Sequence, residues 1–348
     1  MRMAGFCRLN HPRLVDALSR GRYPTARPHA LVCCWRKASP VNETSFIKRF
    51  GSNFAQLSGG SRLFCSEPTP IERPTYRDPA KPRVILPPFA HQGSKDLNYS
   101  TWDNVAVLVD KPTGWTSNDV CGKLKYAIGR KWKRGMKKKP HKVGHAGTLD
   151  PMATGLLIIF FGKATKTVSY FVDQFKEYTG TFRLGETTST LDADSHVEEV
   201  REWQHITDDD LETARHQFIG DLEQVPPMFS AVKVGGLRLY KLARAGQEVK
   251  REPRSISVYE FELKRESGSQ DVDFRLACSK GTYVRTIASD LGEVLGCGAH
   301  IVKLRRTAIG DRRVEDAWTV DALVDAIKET RGVVSDKDGS GNVSEEEK

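Results

Sequence analysis

The 348-residue sequence predicts an α+β fold with a mixed or antiparallel central sheet flanked by helices and loops. Three observations carry this. Short apolar or alternating runs, at Asn104 to Val109, Leu156 to Phe161, Tyr178 to Leu184 and Val272 to Ser279, have the length and pattern of strands. Helix-like stretches lie among them, from Ser117, Asp208 to Phe218, Leu239 to Ala245 and Tyr283 to Leu295. The two kinds follow one another without a regular βαβ period, and there is no glycine-rich nucleotide fingerprint, which argues against a doubly wound sheet. A chain of this length can bury a substantial core, as one large domain or two small ones.

Residues 1–66 hold eleven Lys and Arg against only Asp16 and Glu43. An Arg-rich, serine-containing, acid-poor segment has the composition of an organellar transit peptide, the alternative being a basic arm that touches nucleic acid. It has no apolar run long enough for a secretory signal or a membrane anchor, so no membrane partner is expected. Its end, Ser61-Arg-Leu-Phe-Cys-Ser66, resembles plant mitochondrial presequences cut after an Arg-x-Phe-type site. The expected destination is the mitochondrion ahead of the chloroplast, and both ahead of cytosol or nucleus. Beyond residue 66 there remain 43 basic and 42 acidic residues, so the formal net charge of +10 is no evidence that the body binds nucleic acid. That evidence has to be local. Cys121, Cys278 and Cys297, the cysteines of the body, are too scattered for a disulfide framework or a zinc site.

Residues 67–102 carry Pro68, Pro70, Pro74, Pro79, Pro82, Pro87 and Pro88 and read as a linker or an extended wrapping arm. A folded domain is expected over 103–332. Its first strand is followed by a helix that Ser117 can cap, with Val120, Leu124 and Ile128 on one face and Gly129 to end it. Between Arg130 and Lys142 stand eight Lys and Arg within thirteen residues, Lys131, Lys133, Arg134, Lys137, Lys138 and Lys139 among them. Such a run cannot pack into a core. It is either a solvated loop or a set of phosphate contacts that hold an RNA.

The segment Gly144 to Leu156, GHAGTLDPMATGL, sets one carboxylate, Asp150, between a glycine-containing turn and a proline. Pro151 pushes Asp150 away from helical backbone, and Gly147 and Gly155 allow close approach on either side. An acid on a stiff turn at the mouth of a buried strand is a plausible catalytic placement. An Asp that caps a helix or closes an Asx-turn is the plainer alternative, and the pattern alone leaves both open. At the other end, residues 333–348 are acidic, poor in apolar residues and expected to be disordered. After Trp318 about thirty residues remain, below the size of an independent folded module.

GHAGTLDPMATGLL resembles the catalytic signature of the TruB-family tRNA pseudouridine synthases, and further blocks match in order. They are VDKPTGWTS around Lys111-Pro112, Lys176-Glu-Tyr178 with TFRLGETTSTLDADS, PPMFSAVKVGGLRLYKLAR from Pro226 to Arg244, and KGTYVRTIASDLG from Lys280 to Gly292. Together they span roughly residues 103–318. The resemblance implies the pseudouridine-synthase fold, with a catalytic cleft across the sheet, while the C-terminal RNA-binding PUA module familiar in the family is not expected after Trp318. It also implies isomerisation of uridine to pseudouridine, at position 55 in the T-loop of tRNA.

The roles follow by resemblance. Asp150 is the nucleophile, Tyr178 stacks on the target base and moves a ribose proton, and Arg285 pairs with Asp150 as a bidentate partner that keeps it ionised. Lys111 positions the first-motif loop or reaches a phosphate, His145 helps splay the target loop, and Leu304 packs near the flipped base. The isomerisation oxidises nothing and adds no external group, so neither cofactor nor metal is expected. The expected partner is RNA, the tRNA T-arm foremost, and the chain is expected to be a monomer. A uridine in organellar mRNA or rRNA is an alternative target, and a non-catalytic RNA-binding or folding-helper protein an alternative function. The trio Asp150, Tyr178 and Arg285 argues against the last.

Overall fold

A computed structural model describes residues 71–73, 89–90, 104–129 and 142–337. The first half contains β1 (Phe89–Ala90), β2 (Asn104–Lys111), α1 (Ser117–Gly129), β3 (Val143–His145), β4 (Thr154–Gly162), α2 (Val168–Val172), β5 (Lys176–Leu184), β6 (Glu186–Thr188) and β7 (Val197–Val200). Then come α3 (Asp208–His216), β8 (Gly220–Gln224), β9 (Lys233–Val234), β10 (Leu237–Arg238), α4 (Leu239–Arg244), β11 (Arg254–Arg265) and β12 (Asp271–Cys278). The chain closes with α5 (Val284–Val294), β13 (Ala299–Ile309), β14 (Arg312–Arg313), β15 (Trp318–Thr319) and α6 (Val320–Lys337).

Eleven strands make one sheet in the order β1-β2-β4-β13-β5-β12-β11-β8, with β3 beside β4, β14 beside β13 and β15 beside β2. It is mixed: β1 and β15 run parallel to β2, β13 runs parallel to β4, and the remaining pairings are antiparallel. The α+β expectation therefore holds.

The continuous apolar run of β4 has a direct cause, since both faces of this strand are covered. Leu157, Ile159 and Phe161 join Val105, Val107 and Val109 of β2 beneath Val120 and Leu124 of α1 and Leu323 and Ile327 of α6. The alternate residues Leu156, Ile158 and Phe160 pack with Ala106, Leu108 and Phe171 on the opposite side. No helix among the described residues is long and apolar enough to cross a membrane.

The pairing of β4 also makes room for a site. Along one edge β2 accompanies it from Gly155 to Gly162. The other edge is divided: β3 takes Ile159 to Phe161, and β13 takes only Thr154 and Gly155. Residues 146–153 leave the sheet where these partners part, and they carry Asp150. Gly155 sits at φ +105°, and a Cβ there would stand 2.3 Å from the carbonyl oxygen of Arg306, so the strand junction requires glycine.

Three sequence expectations change. The cap of α1 is Thr116, not Ser117: Thr116 and Asp119 exchange backbone and side-chain hydrogen bonds at 2.7–3.1 Å, and Ser117 is the first helical residue. Two long strands, β11 and β13, were not expected, because charged residues interrupt their apolar pattern. Helix α6 runs to Lys337, past the point where the tail was expected to begin. Residues 67–102 touch the body at two described points. Arg73 pairs with Glu177 at 3.6 Å, and Phe89, on β1 beside β2, meets Phe171 edge-on at 5.6 Å between ring centroids. The basic run Lys131, Lys133, Arg134, Lys137, Lys138 and Lys139 lies outside the described residues, as does the tail beyond Lys337.

Candidate active site

Asp150 is held by its two neighbours. On one side the Ser117 hydroxyl accepts from the Leu149 amide at 2.9 Å and donates to the Leu149 carbonyl at 3.2 Å. On the other, the Pro151 carbonyl accepts from the Lys111 ammonium at 3.1 Å and from the Gly114 amide at 2.8 Å. Thr113 donates to the Met152 carbonyl as well. The segment 111–117, between β2 and α1, is thus a cradle for the loop 149–152. A turn bond from the Ala153 amide to the Asp150 carbonyl leaves the carboxylate side chain free to point elsewhere.

It points at Arg285. The Arg285 Nε stands 2.9 Å from the Asp150 carboxylate, and the arginine side chain is only 5% exposed. The rest of the guanidinium is committed to other partners: one terminal nitrogen donates to the Thr190 carbonyl at 2.7 Å and lies 3.4 Å from Asp192, and the other donates to the Phe229 carbonyl at 2.8 Å. The pairing with Asp150 is therefore through one nitrogen, not the bidentate fork expected, because the fork is spent on anchoring Arg285 itself. Asp192 is buried and belongs to the TSTLDADS block, at whose Leu191 the backbone takes a positive φ of 61°.

These groups floor a cavity of about 250 Å³, near the small end of ligand pockets at roughly 300–1,000 Å³. Tyr178 and Lys176 of β5 and Leu304 and Arg306 of β13 form one wall, alternate residues of two paired strands that point to the same side. Ser230, Thr282 and Tyr283 form another.

A family description, TruB family pseudouridylate synthase (N terminal domain), matches residues 133–284 of this chain, and a second, tRNA pseudouridylate synthase B C-terminal domain, matches 285–337. A protein called tRNA pseudouridine synthase B from Opitutus terrae is 50% identical over 217 residues, covering 62% of this chain and 86% of its own. The chain belongs to the TruB family of pseudouridylate synthases. A relative of the same name from Flavobacterium johnsoniae is 43% identical over 222 residues, 64% of this chain and 95% of its own. Among solved structures, a Cbf5-Nop10-Gar1 complex is 27% identical, covering 70% of this chain and 59% of that one at a TM-score of 0.49.

Within this TruB-family enzyme, Asp150, Tyr178, Arg285 and Leu304 converge on one cavity. Lys111 does not reach it. Its side chain is fully buried and donates to the carbonyls of Pro112, Trp115 and Pro151 at 2.6–3.1 Å, so it positions the loop, and a phosphate contact is excluded by burial. His145 lies on β3 opposite Ile159, half-buried, and is not among the residues lining the cavity. Burial and then the charge of Arg306 depress its pKa and favour neutral imidazole.

Three groups escaped the sequence reading as site residues: Asp192, Lys176 and Arg306. Lys176 and Asp192 stand inside blocks that carry the resemblance, which was their available signal. Arg306 had only its place beside Leu304, since Leu304-Arg-Arg-Thr307 reads as a polar surface segment.

Burial raises the pKa of Asp150, and nearby Asp192 adds to the rise, whereas Arg285 and Lys111 oppose it. The carboxylate keeps 35% of its side-chain surface open to the cavity, yet the protein around it is dense enough for dehydration to dominate. The sign for catalysis follows. A nucleophilic carboxylate must be ionised, so the single-turnover rate is expected to rise with pH through a midpoint above the ordinary aspartate value of 3.8 and then level off. A rate profile flat down to pH 4 would contradict it.

Proposed function

We propose that this enzyme converts a uridine of tRNA, at position 55 in the T-loop, to pseudouridine with Asp150 as the nucleophile. The observation that carries this reading is the ion pair between Asp150 and Arg285 on the floor of a base-sized cavity whose wall holds Tyr178. The names of the relatives support tRNA as the RNA, and the T-loop follows the motif resemblance.

The geometry suits the chemistry. A uridine in a loop is already partly unstacked and is cheap to extrude into a pocket. Tyr178 presents an aromatic wall against which a base can stack. The Asp150 carboxylate, fixed by Ser117, Lys111 and Arg285, then needs no reorientation before it attacks ribose C1′. Burial raises the pKa of the Tyr178 phenol, with Arg306 opposing the rise, so the hydroxyl is neutral at rest and in place to relay a proton. The run Arg130 to Lys142, directly before the Asp150 segment in sequence, supplies positive charge for the RNA backbone. Residues 1–66 carry the composition of a presequence, and we place the enzyme in the mitochondrion.

The test is to map pseudouridines in mitochondrial RNA from cells with and without the protein. Loss of the modification at position 55 of tRNA, with every other site retained, is expected. Loss confined to mRNA or rRNA would move the target, and an unchanged map would overturn the reading.

A further inference from the structure

Two buried side chains of this fold are cations that no carboxylate pairs with among the described residues. Arg306 is 1% exposed and Lys176 is 6% exposed. Burying an ion is costly unless a partner compensates, and Arg285 follows that rule with Asp150 and Asp192. Lys176 and Arg306 do not. Neither makes an ion pair with a carboxylate among the described residues. Asp173, whose charge Lys176 feels, is itself paired with Lys280 at 2.7 Å. Among the described residues, the hydrogen-bond partners of these two cations are backbone carbonyls and a phenol. Lys176 donates to the carbonyls of Phe171, Val172 and Gln174. Arg306 donates to those of Leu156 at 2.8 Å and Gly147 at 3.0 Å, and its remaining side interacts with the hydroxyl of Tyr178.

They also stand on neighbouring strands of one wall, Arg306 opposite Tyr178 and Lys176 opposite Ile309, and both cations line the cavity that holds Asp150. Two like charges set side by side out of water repel, and burial together with Arg306 lowers the pKa of Lys176 to about 8. A neutral hydrogen-bond donor would satisfy the same carbonyls without this cost. The excess positive charge is what needs a reason.

Resting on the function proposed above, we infer that Lys176 and Arg306 form an anion-stabilising wall, whose positive charge is met by the negative charge that the uracil acquires when it leaves the ribose. The bond from C1′ to N1 breaks with its electron pair leaving on the base, which becomes an anion with charge spread over N1, O2 and O4. C1′ is taken by the Asp150 carboxylate, or the sugar gives up its C2′ proton to form a C1′=C2′ glycal and regains it at C2′ when C5 adds; in both cases the base carries the pair. The anion turns in the cavity and C5 returns the pair to C1′. The C5 proton then departs and N1 takes one up, so the net change is an isomerisation. A preorganised field of this kind acts on the transition state while leaving ground-state binding unchanged.

The experiment compares single-turnover consumption of uridine and of 5-fluorouridine at the target position of a saturating T-arm RNA. The full chain is set beside Lys176→Met and Lys176→Arg, with RNA affinity measured in parallel. Fluorine withdraws electrons and makes the departing base a weaker base, so it needs less help from the wall. Lys176→Met is expected to lower the uridine rate about 10–100-fold at unchanged affinity. The loss should be several-fold smaller for 5-fluorouridine, and Lys176→Arg should restore most of the uridine rate. Arg306→Gln carries the same expectation from the neighbouring strand, so a folding failure of one variant leaves the other to decide. Equal losses on both bases, or a loss of affinity in place of rate, would make these residues struts of the wall and overturn the inference alone. A folded parent that consumes neither base would overturn the proposed function, and this inference with it.

Discussion

Asp150→Asn is expected to abolish pseudouridine formation, a loss of at least about 10³-fold, while leaving RNA affinity within a few-fold of the parent. The substitution keeps the size and shape of the side chain and removes only the carboxylate oxygen proposed to attack. The site is built to survive it. Leu149 remains held by Ser117 and Pro151 by Lys111, so the loop keeps its course. Arg285 keeps the carbonyls of Thr190 and Phe229 and the charge of Asp192. A melting temperature close to the parent's, together with intact binding, would separate loss of chemistry from loss of structure. Measurable turnover by the variant would remove Asp150 as the nucleophile.

Arg285→Met should have the largest effect on the protein as a whole. It leaves the buried carboxylate of Asp192 unpaired and two carbonyls without donors, a loss of about 3–5 kcal/mol for a broken buried pair. In a domain of this size that lowers the melting temperature by roughly 10 °C. It also withdraws the cation that opposes the raised pKa of Asp150, so the acidic limb of the rate profile should move to higher pH. Arg285→Lys should fall between, because an ammonium keeps the charge but cannot reach all of the partners spread around the guanidinium. A variant as stable as the parent, or a limb that moves to lower pH, would contradict this account. Thermal melts and single-turnover rates between pH 4 and 8 measure both.

The parts of the fold that were legible in the sequence are those with one clean periodicity. Leu156 to Phe161 is apolar without interruption because both faces of β4 are covered, and α5 keeps a helical stripe. β13 was illegible for a physical reason: Lys303, Arg305 and Arg306 look like surface residues. Yet Arg305 pairs with Asp110 across the sheet at 2.7 Å, and Arg306 is buried among carbonyls. Helix α1 was found and its cap misplaced by one residue, because Thr116 and Ser117 are both capable caps and only the bonds made by each decide.

The site divides in the same way. Asp150, Tyr178 and Arg285 could be named from motif blocks, and the structure brings them into one cavity. The single-nitrogen contact, and the cradle role of Lys111 and Ser117, depend on contacts about forty and thirty residues away in sequence, which no local pattern encodes.

The most direct test of the central claim is tritium release from a T-arm RNA carrying uridine labelled at C5 only at position 55, incubated with the full chain. Isomerisation through C5 must expel that hydrogen, so release of one tritium per RNA is expected, matched by pseudouridine at the same position. A folded protein that binds this RNA and releases no tritium would contradict it.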